Sequence, residues 1–154
     1  MPHYKIELQH EINATPAQVR SILLDFPKYN SWNHFINDPT IIKSKANSQD
    51  PYDLQTGDVI SLNFTLFNMK ATPEILKNTE DEFKWLGVGG AKFIFAGAHS
   101  FKFESLDGGK RCRLVHGEEF TGFTVGLYRW LKGEETEEHF RRISEKIKER
   151  AEAL

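Results

Sequence analysis

Cysteine is almost missing from this chain. Its 154 residues include one, Cys112, which excludes an internal disulfide and any zinc site built from cysteines. Beside Arg113, that thiol is expected to point outward, as a surface group without a role in a reducing compartment. Long apolar runs are missing too. None approaches the ~20 residues of a membrane span, and the opening MPHYKIELQHEI alternates at once, without an apolar signal core. The expectation is a cytoplasmic protein with no membrane insertion. No basic block or stripe occurs, and the net charge is −2, so nucleic acid is not the expected partner. No HxH or HExxH spacing is present, and no metal or cofactor is expected.

Aromatic carbon, by contrast, is plentiful. The chain has 12 phenylalanines and 3 tryptophans against an ordinary 27% charged residues. Large aromatic side chains can line a roomy interior without filling it, or simply form an aromatic-rich core. The length suits one domain with a good core, residues 1–154.

The stretch from Phe93 to Gly122 carries the most information. It reads as a long β-hairpin around Gly108-Gly109, because paired glycines supply the positive φ of a type I′ turn. That turn sets the register. Asp107 pairs with Lys110, Glu104 with Arg113, Phe103 with Leu114, Phe101 with His116, and His99 with Glu118. The outward set then places opposite charges across from one another. The inward set is Phe95, Gly97, His99, Phe101 and Phe103 facing Leu114, His116, Glu118 and Phe120. Two histidines and a carboxylate thus sit on an aromatic, core-facing surface. Burying them is costly unless they are paired or wetted, so the pattern points to a partly polar cavity.

Elsewhere the periodicities are clear. Tyr4, Ile6, Leu8, His10 and Ile12 share one face of a strand. Thr15 and Pro16 open a short helix to about Leu24, with Val19, Ile22 and Leu23 inward, and Phe26-Pro27 ends it. Tyr29 to Phe35 reads as a second short helix, and a strand begins near Ile41-Ile42. Lys45 to Gly57 is a surface loop anchored by Tyr52 and Leu54. Asp58 to Phe67 reads as a strand. Lys70–Lys77 and Glu82–Val88 read as a hairpin in which Leu76 meets Phe83 and Glu74 meets Trp85. Phe140, Ile143, Ile147, Ala151 and Leu154 form one helical stripe. Thr124 to Lys132 is either the start of that helix or a separate segment, and Gly133 marks a kink or break. The fold class is α+β: a curved antiparallel sheet of about six or seven strands packed on a long C-terminal helix, with two short helices after the first strand.

These residues resemble the START-like (SRPBCC) superfamily with the helix-grip fold, in its polyketide cyclase/dehydrase-like branch. The likeness is carried by Tyr29-x-x-Trp32-Asn33-x-Phe35, Gly57-Asp58, Trp85-Leu86-Gly87, Phe95-x-Gly97-x-His99-x-Phe101-x-Phe103-Glu104 and His116-Gly117-Glu118-x-Phe120-x-Gly122. It implies an apolar cavity between sheet and C-terminal helix, holding a lipid, sterol, polyketide or similar molecule. Some members catalyse cyclisation or dehydration, so the fold alone does not choose a function.

The expected occupant is a small hydrophobic or aromatic molecule. His10, Trp32, Phe35, Phe64, Trp85, Phe95, Phe101 and Phe120 are the candidate walls, with Phe67 beside them. Each alone is equally a core residue. His99 and Glu118 form either a buried structural pair or, with His116, the acid/base groups of a cyclase or dehydratase. A carboxylate beside an imidazole is expected to raise the histidine pKa. Glu74 either faces the same pocket or reaches solvent from a strand edge. Gly97 is expected to bend the sheet at a bulge, with Gly117 serving alike on the partner strand. A third reading is an interaction module like the superfamily's chaperone activators; it requires an exposed apolar patch.

Overall fold

The computed structural model describes residues 2–154. Ten-residue β1 (His3–Ile12) is followed by α1 (Pro16–Leu24), a 3-10 turn at Phe26–Ser31 and β2 (Ile36–Lys43). Next come β3 (Val59–Phe64), β4 (Met69–Ala71), β5 (Glu74–Asn78), β6 (Glu82–Val88), β7 (Ala96–Leu106), β8 (Arg111–Thr121) and α2 (Val125–Glu152). One antiparallel sheet runs β1-β8-β7-β6-β5-β3-β2, with β4 paired to β3. Its concave face is closed by α2 and one end by α1, so the fold is α+β with the long helix gripped by the sheet.

The chemistry of the ends explains most boundaries. Thr15 accepts from the Gln18 N–H at 3.2 Å while Gln18 accepts from the Thr15 N–H at 2.9 Å, a reciprocal cap that starts α1 at Pro16. Val19, Ile22, Leu23 and Leu24 are buried. The second helical turn lies earlier than expected, at Phe26–Ser31, and is 3-10 rather than α. The Asn33 side chain accepts from the N–H groups of Phe35 and Ile36 at 3.0 and 2.8 Å, which turns the chain out of the helical path and into β2. That strand therefore starts at Ile36, well before Ile41.

Three expected elements shift for similarly local reasons. The strand opening at Asp58 stops at Phe64, because Thr65–Phe67 form a turn that Asn68 closes in the left-handed region at φ 47°. Pro73 then separates β4 from β5. On the turn side of an irregularity between Ile75 and Lys77, Phe83 faces Asn78, two places from the expected Leu76; beyond it Ile75 faces Trp85 and Glu74 faces Leu86, one place from the expected pairing. Ile75 is buried and Glu74 reaches solvent from its strand.

The β7–β8 hairpin has the anticipated pairing: His99 with Glu118, Phe101 with His116, Phe103 with Leu114, Glu104 with Arg113. Gly108 and Gly109 have φ of 66° and 92°, and the Lys110 N–H donates to the Asp107 carbonyl at 3.4 Å. The Asp107 carboxylate pairs with Arg111 rather than Lys110. Cys112 is not a surface thiol. It shares its parity with Leu114 and His116, so its side chain faces the core and is fully buried. Burial pushes the thiol up to about 11.

Helix α2 runs unbroken through Gly133. A Cβ there would come within 3.2 Å of Tyr4 Oη, so this glycine lets α2 lie close on β1. Phe140, Ile143, Ile147 and Ala151 are buried beneath it, while Leu154 is exposed. Two polar residues, Thr136 and Ser144, are buried in the same stripe. The opposite face of the first turns presents Leu127, Trp130 and Leu131 to solvent, with Trp130 81% exposed. Among the described residues, no helix is long and apolar enough to cross a membrane.

Candidate functional site

A cleft of about 90 Å³ opens between α2 and the inner face of the sheet. Trp85 on β6, Phe95 just before β7, Gly97 on β7, and Glu118 and Phe120 on β8 supply its sheet side. Tyr128, Thr136 and Phe140 of α2 supply the other. Phe35, Phe64, Phe67 and Met69 close one edge, and Gly87, Val88 and Gly89 another. The rings contact each other throughout: Phe95 and Phe120 at 5.8 Å, Phe120 and Tyr128 at 5.0 Å, Phe64 and Trp85 at 6.1 Å. The Tyr128 and Thr136 hydroxyls bond to one another at 2.6 Å, and among the described residues Glu118 is the one carboxyl on these walls.

Gly97 creates the room for that carboxyl. Pairing through this part of β7 is regular, without the expected bulge. A Cβ at Gly97 would instead meet Glu118 Oε2 at 2.7 Å. Gly117 serves the packing of β1, since a Cβ there would collide with the Ile6 carbonyl. Both glycines are needed for close approach rather than for bending.

Behind Glu118 lies a chain of polar contacts. Glu118 Oε1 is 2.7 Å from His99 Nδ1. His99 Nε2 is 2.7 Å from His116 Nε2, and His116 Nδ1 is 2.9 Å from Ser144 Oγ on α2. Both imidazoles are fully buried and held by rings: His99 stacks on Trp85 at 4.6 Å, and His116 on Phe101 at 4.3 Å and on Phe140 at 4.8 Å. Burial dominates the titration of this cluster. It holds His99 down at about 3 and His116 well below the usual imidazole range, and it pushes Glu118 up to about 8. The expected rise of the histidine pKa beside a carboxylate is reversed, because the low-dielectric surroundings disfavour every charge in the group and the carboxyl itself becomes neutral.

The candidate residues separate by position. Phe35, Phe64, Phe67, Trp85, Phe95, Phe120 and Glu118 line the cleft. His99, His116 and Phe101 form the layer behind it. Trp32 is packed in the core against Tyr29 at 5.1 Å, because Asn33 turns the chain away after it. His10 lies between β1 and α2, facing Glu145, Arg141 and Lys148, and its Nδ1 has no hydrogen-bond partner among the described residues. Tyr128, Thr136, Phe140 and Ser144 were not anticipated at the site. Their signal was present as two polar residues, Thr136 and Ser144, each four positions from Phe140 in an otherwise apolar stripe. Among the described residues, no group of three or more His, Cys, Asp or Glu is arranged to hold a metal ion.

Known proteins agree with this architecture. A family model described as polyketide cyclase/dehydrase and lipid transport matches residues 3–154. A START superfamily protein from Mycobacterium smegmatis superposes with a TM-score of 0.70 at 18% identity, over 99% of both chains. Norcoclaurine synthase from Thalictrum flavum, solved in complex with dopamine and hydroxybenzaldehyde, gives 0.66 at 11% identity, over 96% of this chain and 86% of its own. The Zhui aromatase/cyclase from Streptomyces sp. R1128 gives 0.60 at 14% identity, over 99% and 90%. At these identities the likeness is one of fold. No curated protein matches the chain in sequence.

Proposed function

The chain belongs to the polyketide cyclase/dehydrase and lipid transport family, and on that premise we propose that it binds a small planar aromatic molecule bearing a hydroxyl or carbonyl oxygen. The ring lies against Phe95, Phe120 and Trp85, and the oxygen meets Glu118. The observation that carries this reading is the lone carboxyl, 10% exposed, on walls that are otherwise aromatic. Size supports it. At about 90 Å³ the cleft is well below the ~300–1,000 Å³ of drug-sized sites and nearer to the ~150 Å³ cavity that holds one benzene ring. A sterol or fatty acid would have to displace the Phe67–Met69 edge.

The test is a thermal-shift and calorimetric panel of single-ring phenols, aromatic ketones, fatty acids and sterols. Phenols or aromatic ketones should stabilise the protein, and Glu118→Leu should weaken them about tenfold, the loss of one buried hydrogen bond. Binding confined to fatty acids or sterols, or phenol binding unchanged in Glu118→Leu, would reject the assignment.

A second reading adds chemistry at the same atom. A carboxyl that titrates at about 8 is suited to general acid/base work near neutral pH. Glu118 would then be the group that touches a cyclising or dehydrating ketone, with His99 and His116 acting through it. Under this reading Glu118→Gln retains ligand affinity but loses turnover; equal turnover in the variant removes it.

A further inference from the structure

The run Glu118, His99, His116, Ser144 has a property that none of its members has alone. Each link is a contact of 2.7–2.9 Å between two heavy atoms, and each holds one proton. Both histidines are neutral, so each carries a single N–H, and the short Nε2–Nε2 contact admits one proton, not two or none. Only two arrangements satisfy every link. In the first, the Glu118 acid donates from Oε1 to His99 Nδ1, His99 Nε2–H donates to His116 Nε2, and His116 Nδ1–H donates toward Ser144 Oγ. In the second the whole run reverses. Ser144 donates to His116 Nδ1, His116 Nε2–H donates to His99, and His99 Nδ1–H donates to Glu118 Oε1. A carboxylate at Glu118 is compatible only with the second.

The two arrangements depend on Ser144 unequally. The first has another acceptor at hand, because the main-chain carbonyl of Phe140 stands near His116 and favours a proton on its ring. The second needs a donor at His116 Nδ1, and a carbonyl cannot donate; the Ser144 hydroxyl is the donor in place there. We propose that Ser144 is a positioning residue for the site: its hydroxyl, acting through two histidines, is what permits Glu118 to become a carboxylate. Helix α2 thereby controls whether the cleft offers its ligand a neutral acid or an anion.

Helix α2 presents Tyr128 toward Glu118, β1 presents Tyr4 toward Tyr128 and His10 toward His116, and β6 presents Trp85 without charge. On the outer face of the sheet Lys5, Lys84 and Lys102, together with Glu7, Glu82 and Glu119, line a shallow depression that Gly117 and Glu118 also border. None of these supplies a proton to His116 Nδ1.

The inference rests on Glu118 being the polar contact of the site, but its test uses ligand-free protein, so the two can fail separately. The Glu118 side-chain carbon and the ring nitrogens of His99 and His116 are followed by NMR across the titration of Glu118. In the native protein, once Glu118 is ionised, His99 should carry its proton on Nδ1 and His116 on Nε2. In Ser144→Ala the ionisation constant of Glu118 should fall by about tenfold to a hundredfold, the cost of an unmade buried hydrogen bond, while Ser144→Thr, which keeps the hydroxyl, should stay near the native value. An unmoved Glu118 midpoint in folded Ser144→Ala overturns the proposal. So does a native His99 that keeps its proton on Nε2 while Glu118 is ionised, a result that needs no variant.

Discussion

At the scale of single residues, the site depends on what is missing at position 97 as much as on Glu118. A methyl there would sit 2.7 Å from Oε2 and 3.0 Å from the carboxyl carbon, so Gly97→Ala must push the carboxyl off His99 Nδ1. We expect a loss of about 1–3 kcal/mol, as in other overpacked cores, and a Glu118 titration moved down toward the ordinary carboxylate range. Urea unfolding and the NMR titration would measure both; an unshifted Glu118 would mean that the strand yields instead. His99→Ala is a poorer probe of function than Glu118→Gln. Its ring is fully buried against Trp85 and Phe101, and its removal leaves both a cavity and two unpaired polar atoms.

At the scale of elements, β1 is held to β8 by backbone approach. Gly117 faces the Ile6 carbonyl so closely that Gly117→Ala must separate the strands. Neither backbone can rotate away, so about 3 kcal/mol is expected, at the upper end of overpacking. Thr15→Ala removes only the α1 cap and should cost about 1 kcal/mol. A denaturation series that ranked these two in the reverse order would contradict the packing of β1 on β8. The elements also show what periodicity can and cannot reveal. The β7–β8 register followed from Gly108-Gly109 and from alternation, since a tight turn leaves no freedom in pairing. The β5–β6 register did not, because the turn closed between Thr79 and Glu82 displaces it by two places and the irregularity between Ile75 and Lys77 restores only one. The parity that placed Leu114 and His116 inward applies equally to Cys112, so the outward expectation was a misapplication of a register that was itself right. Gly133 looked like a helix break, yet it is a contact with Tyr4, a strand 129 positions earlier in sequence.

At the scale of the whole molecule, burying the relay makes stability depend on pH. A histidine held at about 3 against 6.5 unfolded binds fewer protons when folded, so it raises stability as pH climbs between those values. His116 acts in the same sense. Glu118, at about 8 against 4.5 unfolded, binds more protons when folded, so its stabilising effect is lost as pH rises from 4.5 through 8. Below 6.5 the two histidines outweigh it; above 6.5 it acts alone. Stability should therefore peak near pH 6.5 and fall by about 2 kcal/mol by pH 8, at ~1.4 kcal/mol per unit. Glu118→Gln should abolish that alkaline fall. Unfolding free energies at several pH values decide it, and a native protein equally stable at both ends of this window would show that water in the cleft screens the carboxyl.

The amino-acid sequence by itself determined the class of the molecule. Strand alternation, the Thr15-Pro16 cap, the paired glycines of the hairpin and the stripe from Phe140 to Ala151 are local patterns, and each is enforced by bonds within a few residues of itself. They were enough to place His99 opposite Glu118 and both beneath a long helix. Only the tertiary structure decided which of these groups meets the cleft. The two histidines are sealed by Trp85, Phe101 and Phe140, whereas Glu118 is left at the surface of the cavity because Gly97 lacks a side chain. It also supplied Ser144, whose meaning depends on where α2 comes to rest on β8. Contacts between residues far apart in sequence carry no periodic signal along the chain, and burial, which reversed the charge state expected for the pair, exists only once those contacts have formed.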